Sequence, residues 1–126
     1  MKIAAAIARY LLGLMFVVFG ANMFFSFIPQ GPMPTGLPGD FMVAMFKAHY
    51  FYPVGAVMIL SGVLFLANRF VPLALVFLGP VLVNILLFHI LMLPATIGMG
   101  LFATLLWFLV FYQHRAAFAP LFRAKA

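Results

Sequence analysis

Four apolar stretches, each near the length of a membrane-crossing helix, constrain this chain more than any motif does. The first runs from Ile3 to Ile28 with one charged side chain, Arg9. A helix rises ~1.5 Å per residue, so about 20 mainly apolar residues bridge a ~30 Å hydrocarbon core. Four prolines and three glycines between Pro29 and Gly39 keep the following loop out of helix and strand. Asp40 then reads as the N-cap of a helix from Phe41, since its carboxylate can accept free backbone N–H groups. That helix, about 41–51, is apolar with an aromatic and basic edge, which suits the membrane interface. Counted from Pro53 to Ala67, the second run reaches only about 22 Å. Either helix 41–52 bends at Pro53, or an interfacial helix precedes a span that starts nearby. A turn at Asn68 to Val71 leads to Pro72, which suits a first helical turn. Gly79-Pro80 predicts a kink in the third span, and Pro94 and Gly98 bracket a short link to the fourth. The expected spans are about 3–28, 50–67, 72–93 and 97–115.

Composition supports the same class. Of 126 residues, 68% are hydrophobic and 6% are charged, against about 25% charged in a soluble domain. Seven Lys/Arg and one Asp cannot cover a water-facing surface of this size. The expectation is an all-α integral membrane four-helix bundle, one domain over 1–126, with a short interfacial helix after the first outer loop. The lipid bilayer is its expected partner, with a membrane protein or a second copy beside it. A net charge of +6 does not point to nucleic acid, because the charges punctuate the apolar runs instead of clustering on one face. The absence of cysteine excludes thiol–disulfide exchange and Cys-ligated metal or haem within this chain.

The basic residues orient the spans. With the N-terminus inside, Lys2, Arg9, Arg69, Arg115, Arg123 and Lys125 fall on the cytoplasmic side and Lys47 alone on the other. This asymmetry predicts a multi-pass membrane protein with both termini cytoplasmic. A cleaved signal peptide is disfavoured, because Arg9 interrupts the early run and the apolar stretch is long enough to span.

Lipid is as apolar as leucine, so helices in a bilayer associate through close contact at small residues and shared polar groups. Ala6, Gly13 and Gly20 repeat at heptad spacing on the first span, and Ala48, Gly55 and Gly62 on the second. These stripes are expected to face each other, so that Gly13→Leu and Gly62→Leu weaken the fold more than Leu12→Ala.

A polar group at membrane depth is costly and marks a functional-site candidate. Asn22, Ser26, Asn84 and His89 all fall in the outward halves of the first and third spans, and the outer loop brings Asp40, Lys47 and His49 to that side. This outward cluster suggests a pocket in which His89 exchanges or donates protons while Asn22 and Asn84 supply amide hydrogen bonds. Bland readings stand beside it: helix glue for the two Asn, interfacial water for His89 and His49, a cap for Asp40. Asn84 and His89 are also about 140° apart around their helix. Three scattered His and one Asp show no paired metal-ligand spacing, so no metal site is expected. No G-x-S-x-G, acidic pair or phosphate-cradling loop is present. Seventeen Phe fit lipid-facing and core roles first, and clustered Phe also suits the flanks of a planar isoprenoid ligand such as a quinone.

At RYLLGLMFVVFGANMFF (Arg9 to Phe25) and NRFVPLALVFLGPVLVNILLFHILMLP (Asn68 to Pro94), the sequence resembles the DoxX-like family of small four-helix bacterial membrane proteins. Together with the Asn22, Asn84 and His89 cluster, the resemblance implies a component of a redox system in a bacterial inner membrane that binds quinone or lipid. No agreed catalytic residue carries over from it, and cysteine-using members find no counterpart here. The alternative is a noncatalytic membrane scaffold or assembly factor. A solute carrier fits less well, since four short helices offer few polar wall residues.

Overall fold

The structure, a computed structural model, describes residues 2–28 and 34–124. Much of the expected Pro/Gly loop, Pro29 to Met33, lies outside the described residues, as do Lys125 and Ala126. Every regular element described is helical: α1 (Lys2–Phe25), α2 (Leu37–Lys47), α3 (Phe51–Ala67), α4 (Val71–Met92), α5 (Gly98–Gln113) and α6 (Arg115–Phe118). Short 3-10 turns follow at Pro94–Thr96 and Ala119–Phe122. Two helices, α1 and α4, are long and apolar enough to cross a membrane. The number rises to four if each of two sharply bent pairs counts as one crossing.

Those bends have local causes. The axes of α2 and α3 differ by 87°, and the break lies at Ala48–Tyr50, not at Pro53 as one of the two sequence readings had it. His49 adopts φ 57°, Tyr50 N–H donates to Met45 O at 3.0 Å, and His49 N–H donates to Phe46 O at 3.1 Å. This is a Schellman ending, in which one left-handed residue lets two amides satisfy carbonyls of the last turn. Pro53 sits harmlessly in the first turn of α3, where its missing N–H has no helical partner to lose. The same ending closes α3 at Asn68, with φ 55° and bonds from Arg69 N–H to Leu64 O and Asn68 N–H to Phe65 O. At the other bent pair, the tail after His114 folds back at 83° to α5 and buries Phe118.

Asp40 is not the N-cap of α2. Gly36 holds that position, with φ 74° that a glycine tolerates, and Pro38 follows inside the first turn. The preset φ of Pro38 allows the helix to begin earlier, so Asp40 lies within it and donates its own N–H to Gly36 O at 3.0 Å. Likewise α1 stops at Phe25, short of Ile28, because Ser26 takes φ 48°. Pro80 is inside α4, as its sequence position implied.

The helices α1 and α3 lie antiparallel along their glycines. A Cβ added to Gly13 would lie 2.9 Å from Gly62 O, and one added to Gly20 would lie 2.8 Å from Gly55 O. The two glycine pairs therefore meet in register, as the heptad spacing anticipated. Ala48 does not extend the stripe, since the break places it in the turn before α3. Helix α5 packs on α1 and α4, and α4 also packs on α3. Leu12, Phe16, Phe65, Leu75, Leu78 and Val110 fill the space between these four helices and are almost fully buried.

Candidate functional site

Antiparallel packing sorts the polar side chains to two ends of the molecule. At one end stand the close of α1, all of α2, the start of α3 and the close of α4. This end holds six of the seven candidates read from the sequence, whereas Asn84 lies near the middle of α4. Asn22 uses its side chain to stop its own helix: Asn22 Oδ1 accepts the N–H of Ile28 at 2.9 Å, and Asn22 O accepts that of Ser26 at 2.9 Å. Ser26 is the exposed left-handed residue between them. Asn84 donates from Nδ2 to Pro80 O at 2.9 Å, one turn back along α4, and is exposed. His89, half-buried, bonds through Nδ1 to Ile85 O at 2.8 Å. A carbonyl only accepts, so Nδ1 carries the proton in this contact and Nε2 is left for another partner.

These polar groups therefore bond within their own segments, and no hydrogen bond joins them to one another among the described residues. Aromatic rings knit this end instead. His49 stacks on Tyr52 with centroids 5.6 Å apart and 17° between planes, and Tyr52 stacks on Phe24 at 5.3 Å and 3°. One ladder thus ties α1 to the start of α3 and the turn before it. Phe41 of α2 meets Phe88 of α4 at 5.3 Å, and Phe88 lies edge-on to His89. Asp40 and Lys47 are exposed on α2.

The other end holds a residue whose role the sequence reading missed. Arg9, taken there only as a topology marker, is 8% exposed. Its guanidinium donates to Phe65 O, in the last turn of α3, and covers the Tyr10 ring at 4.3 Å from the centroid. The C-terminal carbonyls of a helix carry a negative end worth roughly half a charge, so Arg9, a second donor to Phe65 O beside the Asn68 N–H, is partly neutralised by it. His114, just beyond the end of α5, has its pKa lowered from 6.5 by partial burial and then by the positive charge of Arg9. Ser61, fully buried on α3, has a hydroxyl without a hydrogen-bond partner among the described residues. A detectable signal for Arg9 existed: it is the one charge inside an otherwise apolar run, and it lies one turn before Gly13 on the α1 stripe.

Trp107 was also missed. Its indole N–H donates to Leu75 O at 3.1 Å, and the ring lies over Gly79, whose added Cβ would sit 3.8 Å from it. This joins α5 to α4 just before Pro80. On the outer face of α5, Leu105, Phe108, Leu109 and Tyr112 line a shallow apolar groove. Beyond it, Arg115 covers the Tyr112 ring at 4.1 Å and caps Tyr112 O at 2.7 Å. No three His, Cys, Asp or Glu side chains gather among the described residues.

No known protein family, no curated protein and no solved structure matches the chain.

Proposed function

We propose that this chain is a four-pass integral membrane protein, a four-helix bundle of α1, α3, α4 and α5 with α2 lying in the interface, and that α4 docks on another membrane helix. In this reading the end bearing Lys2, Arg69 and Arg115 faces the cytoplasm of a bacterial inner membrane, as the excess of positive charge there favours. The protein then works as a scaffold or assembly subunit.

The observation that carries the docking is the exposed amide of Asn84. Around it, Val76, Val83, Leu87, Ile90 and Leu91 present an apolar face. The Asn84 Nδ2 is satisfied by Pro80 O, whereas no described residue donates to its Oδ1. In hydrocarbon an unpaired amide oxygen costs roughly 2 kcal/mol or more, and a partner helix removes that cost. Because the chain has no cysteine, Leu87→Cys, exposed on the same face, creates a unique attachment point for a photo-cross-linker and leaves the Asn84 amide in place. Irradiation in native membranes should give a discrete cross-linked product at this site and none from the same probe at Leu105→Cys on α5. Equal yields at the two positions would defeat the docking role.

A redox function fits the DoxX-like resemblance and has one observation of its own. The Phe24–Tyr52–His49 ladder is exposed and offers parallel ring faces, a surface on which a planar quinone ring can stack. Solvent extraction of the purified protein should then recover quinone, with less from Tyr52→Ala. Protein free of quinone at every preparation would remove this reading.

A further inference from the structure

We infer that Arg9 is an anion site and that its occupant is the phosphate of an anionic phospholipid. Charge balance leads there. The Arg9 guanidinium carries five N–H donors, of which Phe65 O takes one. The close of α3 offsets about half of its charge. No Arg9 nitrogen is both buried and unpaired among the described residues, so its free donors reach the surface, where an anion can balance the rest. Asp40 is the single acidic side chain of the protein. It lies on α2, at the opposite end of α3 from Phe65, about 25 Å away along a helix of this length. Around Arg9 the neighbours add positive charge. Lys2, Arg69, Arg115 and Arg123 belong to the same end. His114 faces Arg9 closely enough for its protonation to be opposed.

Position selects the source of the anion. Arg9 lies seven residues from Lys2, about 10 Å along α1, which is within reach of a headgroup layer for a long side chain that snorkels. Its guanidinium rests on the Tyr10 ring, which is half exposed on the outside of α1. One edge of the site thus opens at the lipid-facing surface. A guanidinium fork matches two oxygens of a phosphodiester, and the anionic leaflet supplies that group at this depth. A carboxylate from a partner protein is the competing source.

The inference rests on the membrane reading above, and the test separates the two. Full-length protein in neutral detergent is titrated with phosphatidylglycerol, phosphatidylcholine and inorganic phosphate, with bound lipid counted by native mass spectrometry. Phosphatidylglycerol should bind about tenfold more tightly than phosphatidylcholine in the wild type and within about twofold in Arg9→Gln. His114→Asp places a carboxylate beside Arg9, so it should fold and lose the preference as well. It decides alone if Arg9→Gln does not fold. Stabilisation by inorganic phosphate equal to that by phosphatidylglycerol would support the site with a soluble occupant. No preference in the wild type would overturn the inference. So would a preference undiminished in both variants, which would assign it to the exposed arginines. Flotation with phosphatidylcholine vesicles, read on the same samples, tests membrane association by itself: protein that floats without a headgroup preference fails only the Arg9 inference.

Discussion

Gly13 and Gly62 face each other across α1 and α3 so closely that a Cβ on either would lie 2.9 Å or 2.7 Å from the carbonyl oxygen of the other. Contact at that distance is backbone on backbone, so no flexible side chain can yield. Weak Cα–H···O bonds and dense dispersion contacts are what such an approach gains. Gly20 and Gly55 repeat it two turns away, and the pair of contacts fixes both the antiparallel sense and the register.

Gly62→Ala should therefore destabilise by about 1–3 kcal/mol through overpacking. Its added Cβ also meets Val17 N at 2.8 Å. The proper control is Leu14→Ala, since Leu14 is 56% exposed whereas Leu12 is 0% exposed and its truncation opens a cavity. Thermal unfolding in detergent checks this, and a Gly62→Ala melting point equal to that of Leu14→Ala would remove the glycine contact as a determinant of the fold.

The turn between α2 and α3 tests the left-handed ending. His49 carries φ 57°, a region that costs a residue with a Cβ roughly 1–2 kcal/mol. His49→Gly should leave stability level or raise it slightly, even after losing the Tyr52 stack. His49→Val should lower it by about 1–2 kcal/mol, because a β-branched residue tolerates this backbone least. Equal melting points for the two variants would argue against the Schellman turn.

Trp107 joins α5 to α4 through one hydrogen bond and a ring laid over Gly79. Trp107→Phe keeps much of the ring contact and removes the donor, so it should cost about 1 kcal/mol. Gly79→Leu is expected to cost more by forcing the indole out of place. Melting points and the tryptophan emission maximum of Gly79→Leu report on the two effects separately, and an unshifted spectrum would show that the ring does not sit there.

Stability should depend on pH through His114. Its pKa in the fold lies below the ordinary 6.5, so the unfolded chain binds the proton more readily than the folded one. The contribution of His114 is therefore complete above about pH 6.5 and is lost as pH falls through that value toward the lower folded pKa. His114→Gln should flatten this part of the profile. A wild-type melting point that falls no faster than the variant's between pH 7.5 and 5 would contradict the burial and Arg9 repulsion at this site.

The sequence by itself determined the helical character of the described chain, the approximate helix limits and the pairing of the glycine stripes. Apolar run length, proline and glycine placement and heptad spacing all act through local helix geometry, which needs no knowledge of neighbours. It did not determine where α2 begins, because Gly36 and Pro38 outcompete Asp40 for the start of the helix. Nor did it place the bend, since the left-handed state of His49 is allowed to several residue types and is selected by the packing around it. Tertiary structure alone decided the role of Arg9. Whether a cation one turn before Gly13 points to water or toward the carbonyl of Phe65 depends on the rotation of α1 against α3. That rotation is set by contacts between glycines that are dozens of residues apart in sequence. The same holds for Trp107 and Leu75, and for Asn84, whose exposure is fixed by which face of α4 the other helices leave uncovered.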